Sequence, residues 1–182
     1  MNQDRIRIRL AVQEDMTAIM SVFAQARAAI AALGIDQWQN GYPSEAVLRA
    51  DIALSQSYVA ASEGRVIATF AMLTDGEPTY DEIFDGEWRT SGGREGYIAL
   101  HRVAISVASR GKGISTKILE YAKECARSLG RASVRIDTHE GNAVMRRMLE
   151  KHGFIHCGRI LLESGEPRVA YEYVMSITDE SR

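Results

Sequence analysis

Residues 103–115 read Val-Ala-Ile-Ser-Val-Ala-Ser-Arg-Gly-Lys-Gly-Ile-Ser, an apolar run that passes into a short basic turn with two glycines. The apolar pattern before the turn predicts a buried strand, and the spacing after it predicts a helix. The first turn of a helix presents backbone N–H groups without intrahelical partners and the positive end of the helix dipole, so this junction suits an anion. Gly111 and Gly113 let phosphate oxygens approach the backbone closely. Arg110 and Lys112 add full charges, and Ser115 adds a hydroxyl donor. The pattern predicts a pyrophosphate site; the plainer alternative is a strand-to-helix turn that uses glycine for its geometry. Two other phosphate motifs do not fit. A P-loop carries Ser or Thr directly after Gly-Lys, where this chain has Gly113, and its earlier glycine falls on Ser106. The third glycine of a dinucleotide fingerprint falls on Thr116.

A second polar group, Asp137-Thr138-His139-Glu140, follows a short apolar alternation and collects ionisable side chains where a strand ends. Helix capping and solvated charge are its plain alternative. His139, His152, His156 and Cys157 do not fall at metal-ligand spacing. Glu140 follows His139, but position 143 is Ala, so the two-turn histidine pair of a zinc helix is missing and no metal is expected. The two cysteines, Cys125 and Cys157, make no disulfide framework and read as reduced thiols.

These residues need elements to hold them. Ile6, Ile8 and Leu10 alternate with Arg5, Arg7 and Arg9, which is strand periodicity. Residues 14–33 carry Met16, Ile19, Met20, Phe23 and Ile30 at helical spacing, with Gly34 as the stop, and Ser44 is placed to cap a second helix through about residue 54. Residues 58–61 and 65–74 read as a hairpin about Glu63-Gly64. Residues 75–96 are irregular yet hold Tyr80, Ile83, Phe84 and Trp88, so this loop is either pinned to the body or part of a site. A strand over 97–106 precedes a helix over 113–129, with Ile114, Ile118, Ala122, Cys125 and Leu129 on its inner face. A strand over 133–138, a helix over 142–152 and two strands over 154–161 and 169–175 complete the chain. The order β-α-α-β-β-β-α-β-α-β-β predicts an α/β (α+β) fold with a mixed, mostly antiparallel central sheet and helices on both faces, not a doubly wound one.

With 22 basic against 24 acidic residues the net charge is −2, which gives no reason to expect nucleic acid or an anionic membrane as partner. The N-terminal ten residues lack the continuous apolar stretch of a signal peptide, and no run approaches the ~20 apolar residues of a membrane span, so a cytoplasmic location is expected.

The turn Arg110-Gly111-Lys112-Gly113-Ile114-Ser115 resembles the pyrophosphate motif of the GNAT acetyltransferase superfamily, with Ser115 where Gly or Ala is usual. Residues 142–154, from Asn142 to Lys151-His152-Gly153-Phe154, resemble that family's later helix. The resemblance spans about residues 6–175 and implies a single GNAT-like domain over 1–182. It implies acetyl-CoA as co-substrate and an N-acetyltransferase that moves the acetyl group to a primary amine of a small molecule or peptide by direct attack on the thioester. The backbone of Val103, Ala104 and Ile105 is then expected to bond the pantetheine arm, residues 110–115 the pyrophosphate, and Asn142 the arm by its side-chain amide. In many relatives a tyrosine of the later helix protonates the leaving thiolate; Leu149 stands there in this chain. Tyr171 and His139 are the alternative acids. His101, two residues before Val103, is the first candidate base, with Glu140 and Asp137 behind it. Trp38, Gln39 and Tyr42 are expected on one wall of the acceptor cleft, Tyr80 and Trp88 on the other, with His139 beside them. Leu149 is also the feature that favours the other reading, a non-catalytic acyl-CoA sensor. The resemblance admits a homodimer.

Overall fold

The computed structural model describes residues 6–176. Seven strands, β1 (Ile6–Leu10), β2 (Ser57–Ser62), β3 (Arg65–Leu73), β4 (Tyr97–Ile105), β5 (Ser133–Thr138), β6 (Ile155–Leu161) and β7 (Pro167–Val174), form one sheet in the order β1-β2-β3-β4-β5-β7-β6. Every neighbouring pair is antiparallel except β4 and β5. The helices are α1 (Met16–Ala31), α2 (Glu45–Ala53), α3 (Ile114–Ser128) and α4 (Ala143–Lys151). The element order and the mixed, mostly antiparallel sheet agree with the sequence pattern; Arg5 lies outside the described residues.

Local chemistry explains the boundaries. The Ser44 hydroxyl accepts from the Val47 N–H at 3.3 Å and caps α2, and the Asn142 Oδ1 accepts from the Met145 N–H at 3.2 Å and caps α4. Glu63 and Gly64 both take left-handed φ values, 51° and 76°, as the two-residue turn between β2 and β3 requires. α3 and α4 cover one face of the sheet, where Ile114, Ile118, Leu119, Ala122 and Leu149 pack with Phe70, Ile98, Leu100 and Ile136. α1 and α2 cover the other, where Ile19, Phe23 and Leu48 meet Val59 and Ala104. Leu129 was expected on the inner face of α3, but the helix stops at Ser128 and Leu129 is 51% exposed at its C-cap; Leu119 and Ala126 fill that face. Among the described residues no helix is long and apolar enough to cross a membrane.

The aromatic loop over 75–96 is pinned. Tyr80 is buried among Tyr97, Ala99, Ile160 and Ala170, with Trp88 packed against them. The Arg135 guanidinium lies 4.3 Å from the Trp88 ring centre and 4.1 Å from that of Tyr97. Glu172, fully buried, accepts from Arg135 Nε at 2.9 Å, from the Ser133 and Thr90 hydroxyls, and from the Arg89 and Thr90 N–H groups. Burial raises this carboxyl, but the hydroxyls and Arg135 outweigh it and hold the group below its ordinary range.

Candidate active site

The parallel pairing of β4 and β5 runs from Tyr97↔Ser133 to Ala99↔Arg135 and then stops. Beyond it the strands diverge, and a cleft of about 550 Å³ opens between Leu100, His101, Arg102 and Val103 on β4 and Ile136, Asp137 and Thr138 on β5. β4 is paired on its other edge, where Ala104 and Ile105 face Thr69 and Ala68 of β3, so the edge towards β5 is the one left open for a ligand. Asn142 and Met145 of α4 line the same cleft.

The strand leads through a single 3-10 turn, Val107–Ser109, to the N-terminus of α3. Gln25 of α1 steadies this turn by accepting from the Val107 N–H at 2.9 Å. Gly111 and Gly113 have φ of 72° and 74°, left-handed values that glycine adopts without strain, and a Cβ on Gly111 would point into open space. Gly113 is the N-cap and supplies no side-chain cap. The opening N–H groups of α3 therefore receive no capping oxygen from their N-cap side chain. Lys112 Nζ donates to the Ala108 carbonyl at 2.6 Å, Arg110 and Lys112 are exposed, and Ser115 is half-buried on the first turn. The donor set fits a pyrophosphate: backbone N–H groups, two cations and a hydroxyl around an approachable backbone.

In the cleft itself the side chains do the work. His101 is mostly buried, its Nε2 3.2 Å from Glu77 Oε2 and its Nδ1 3.6 Å from Asp137 Oδ1. The Nε2 contact is electrostatic, without the alignment of a full hydrogen bond. The Asp137 Oδ1 also accepts from the Tyr80 hydroxyl at 2.7 Å, and the Tyr80 ring lies 5.4 Å from that of His101. Burial, reinforced by the Asp137 carboxylate, pushes the Tyr80 phenol well above its usual range, so it keeps its proton and donates it. Burial also pushes the Glu77 carboxyl up, but the adjoining His101, with the Thr79 N–H and hydroxyl, overcomes this and holds it at about 2. A proton arriving on His101 is thus flanked by two carboxylates.

The other expected residues fall in several places. Trp38 and Tyr42 line the cleft as expected, joined by Asp36, Gln37 and Asn40. Gln39 does not: its amide turns back to the Arg27 and Gln37 carbonyls. Tyr80 is 1% exposed, so it is no wall for an acceptor but a buried support behind Asp137, and Trp88 is occupied with Tyr80 and Arg135. Glu140 stands outside the cleft lining, exposed near Arg159. His139 is held by its own turn, Nδ1 accepting from the Gly141 N–H at 3.0 Å. Tyr171 is buried, its hydroxyl donating to Glu150 at 2.9 Å and accepting from Arg146 at 3.2 Å beneath α4. Leu149 is fully buried in the core. Glu77 escaped the sequence reading because it lies in an irregular loop with neither periodicity nor motif; only the aromatics that pin the loop were visible.

The sequence matches the model of the acetyltransferase (GNAT) family over residues 17–154. A search of the curated proteins finds no match. Among solved structures, a GNAT-family acetyltransferase from Streptococcus agalactiae is 34% identical with a TM-score of 0.84, covering 94% of this chain and 96% of its own. Two more distant structures share the fold. The PaiA N-acetyltransferase of Thermoplasma acidophilum, in complex with coenzyme A, is 17% identical, with a TM-score of 0.69 over 93% of this chain and 98% of its own. The yncA protein of Salmonella typhimurium, with acetyl-CoA, is 20% identical, with a TM-score of 0.62 over 96% of both chains.

Proposed function

We propose that this chain, which belongs to the GNAT acetyltransferase family, moves the acetyl group of acetyl-CoA directly to a primary amine that enters between Trp38 and His101. One observation carries this reading: the β4–β5 pairing ends at Ala99, the gap that follows holds a histidine set between two carboxylates, and the same strand leads on to the glycine turn that opens α3. Bound coenzyme A and acetyl-CoA in the distant fold relatives support the choice of acyl donor.

The chain's own residues then have separate tasks. Residues 110–115 hold the pyrophosphate by backbone N–H groups and charge. Val103 and Asn142 line the gap on opposite sides, and the unpaired edge of β4 offers its backbone to the pantetheine amides and the thioester carbonyl. Acetyl-CoA supplies the activated acyl group when bound. An alkyl amine with a pKa near ~10 arrives mostly as the ammonium and has to lose a proton before it attacks. His101 takes that proton; Glu77 and Asp137 stabilise the resulting imidazolium, and the Tyr80 hydroxyl fixes Asp137. With Leu149 buried in place of a phenol on α4, the imidazolium of His101, which lines the cleft, can return a proton to the departing sulfur. An ordinary thiol, at ~8.5, is a tolerable leaving group in any case. A cytoplasmic location is part of the same proposal.

A calorimetric titration with acetyl-CoA, followed by thiol release on adding primary amines, tests the reading. Binding at one site per chain with amine-dependent release of free thiol is expected. A folded sample that binds no acetyl-CoA would overturn it.

A further inference from the structure

Among the described residues, Arg102 alone combines a place inside a strand with a left-handed backbone and a side chain; the other non-glycine residues of positive φ, Trp38, Ser55, Glu63 and Asp85, lie in turns and loops. Its φ is 54°, and it sits where the β3–β4 register slips between Thr69↔Ala104 and Ala71↔His101. This is a bulge, and it inverts the facing of the strand. Before it Ile98 and Leu100 pack into the α3 core; after it Val103 and Ile105 do so, while Ala104 turns to α1. Adjacent strand residues normally point to opposite faces. Here His101 and Arg102 both line the cleft, because the bulge re-aims one of them.

A glycine would take this backbone without strain, so the arginine is held there by what its side chain does. Arg102 Nη1 donates to the Tyr42 hydroxyl at 2.7 Å and Nη2 to Asp51 Oδ1 at 2.9 Å. Tyr42 belongs to the aromatic wall between α1 and α2, and Asp51 is a buried residue of α2. The same wall is gripped from behind by Arg27 of α1, which donates to the Gly41, Tyr42 and Pro43 carbonyls. Arg27 fixes the wall's backbone to its own helix; Arg102 is the contact that fixes its side-chain face to β4. The third donor of Arg102, Nε, is buried and meets no acceptor among the described residues.

We propose that Arg102 is a positioning residue that latches the acceptor wall, through Tyr42 and Asp51, to the strand carrying His101, and so sets where the amine stands relative to the base. The role of the wall rests on the acetyltransferase reading above; the latch itself does not.

The variant Arg102→Gly tests this, since glycine keeps the left-handed bulge and removes the fork, while Asp51, whose carboxyl burial already raises, can take up a proton when it loses its partner. Two measurements follow, hydrogen exchange of the backbone amides over 36–44 and steady-state kinetics with n-butylamine at saturating acetyl-CoA. Expected are exchange over 36–44 faster by about 10-fold and KM for n-butylamine higher by about 10-fold, with acetyl-CoA affinity by calorimetry within about two-fold of the parent. Arg102→Lys should recover part of the KM, because it restores one donor, and Tyr42→Phe should give a smaller rise. Wall amides that exchange at the parent rate in Arg102→Gly, or an unchanged KM, would overturn the latch. So would a parallel loss of acetyl-CoA affinity, which would mark a general disturbance of β4. A parent protein that binds no acetyl-CoA would instead sink the acetyltransferase reading, and the exchange rates would still decide the latch.

Discussion

Around Gly113 the site is made of backbone, and around His101 it is made of side chains. The turn over 106–115 is contiguous in sequence, and its chemistry needs only a helix start, two left-handed glycines and local charge. The end around His101 is assembled from Trp38 and Tyr42 before α2, Glu77 in an irregular loop, His101 and Arg102 on β4, and Asp137 on β5. A backbone site tolerates varied side chains but no change in its glycines. A side-chain site depends on every support that brings distant segments together, so the two ends should fail differently.

The largest effect should come from a residue that touches neither end. Glu172→Ala leaves the Arg135 guanidinium buried between Trp88 and Tyr97 without its carboxylate and frees the N–H groups of Arg89 and Thr90. A loss of about 3–5 kcal/mol in urea unfolding is expected. A loss within about 0.5 kcal/mol would mean that this network does not hold the loop that delivers Glu77.

Gly113→Val attacks the backbone end alone. A β-branched residue at φ 74° is strained and crowds the approach of a phosphate. Acetyl-CoA affinity should fall by about 100-fold, equivalent to about 2.7 kcal/mol, in a variant that still folds. Near-normal affinity by calorimetry would remove the pyrophosphate assignment. His101→Ala attacks the other end, and the two should separate cleanly. Turnover should drop by about 100-fold while acetyl-CoA affinity stays within about two-fold. Unchanged turnover would exclude His101 as the base.

The smallest effect sharpens the contrast through pH. Glu77 sits at about 2 in the folded chain against an ordinary 4.5. Folding therefore favours its ionised form. The stability this contributes is complete above about pH 4.5 and is lost as the pH falls towards 2. Glu77→Gln should cost about 1–2 kcal/mol near pH 5, after allowance for screening, and nothing near pH 2. Chemical denaturation across that range would show it; a cost that does not depend on pH would mean that Glu77 acts by packing and not by charge.

The same contrast explains what was legible in advance. The turn with Gly111, Gly113 and Ser115 is legible because a phosphate site of the kind proposed writes all its requirements into six neighbouring residues. Asn142 is legible as a helix cap because a cap directly precedes its helix; its contact with the pantetheine arm belongs to the proposal. His101 was visible only through its distance from that turn. Glu140 and His139 were chosen for nearness in sequence to Asp137, and the structure sends one to solvent and the other into its own turn. Tyr80 was read as a wall because an aromatic in a loop looks available, yet it is buried and supports Asp137 from behind.

The sequence by itself determined the order of strands and helices, the caps at Ser44 and Asn142, the Glu63-Gly64 hairpin and the glycine turn that opens α3. Each of these follows from periodicity or from contacts between residues a few positions apart. Tertiary structure decided the rest: that β4 and β5 part after Ala99, that a bulge brings His101 and Arg102 to one face, that the buried Arg135–Glu172 pair pins the far end of the aromatic loop, and that the Tyr97 hydroxyl holds its near end so that Glu77 meets His101. These depend on contacts between segments far apart in the chain, where geometry arises from packing of the whole sheet and leaves no local pattern to read.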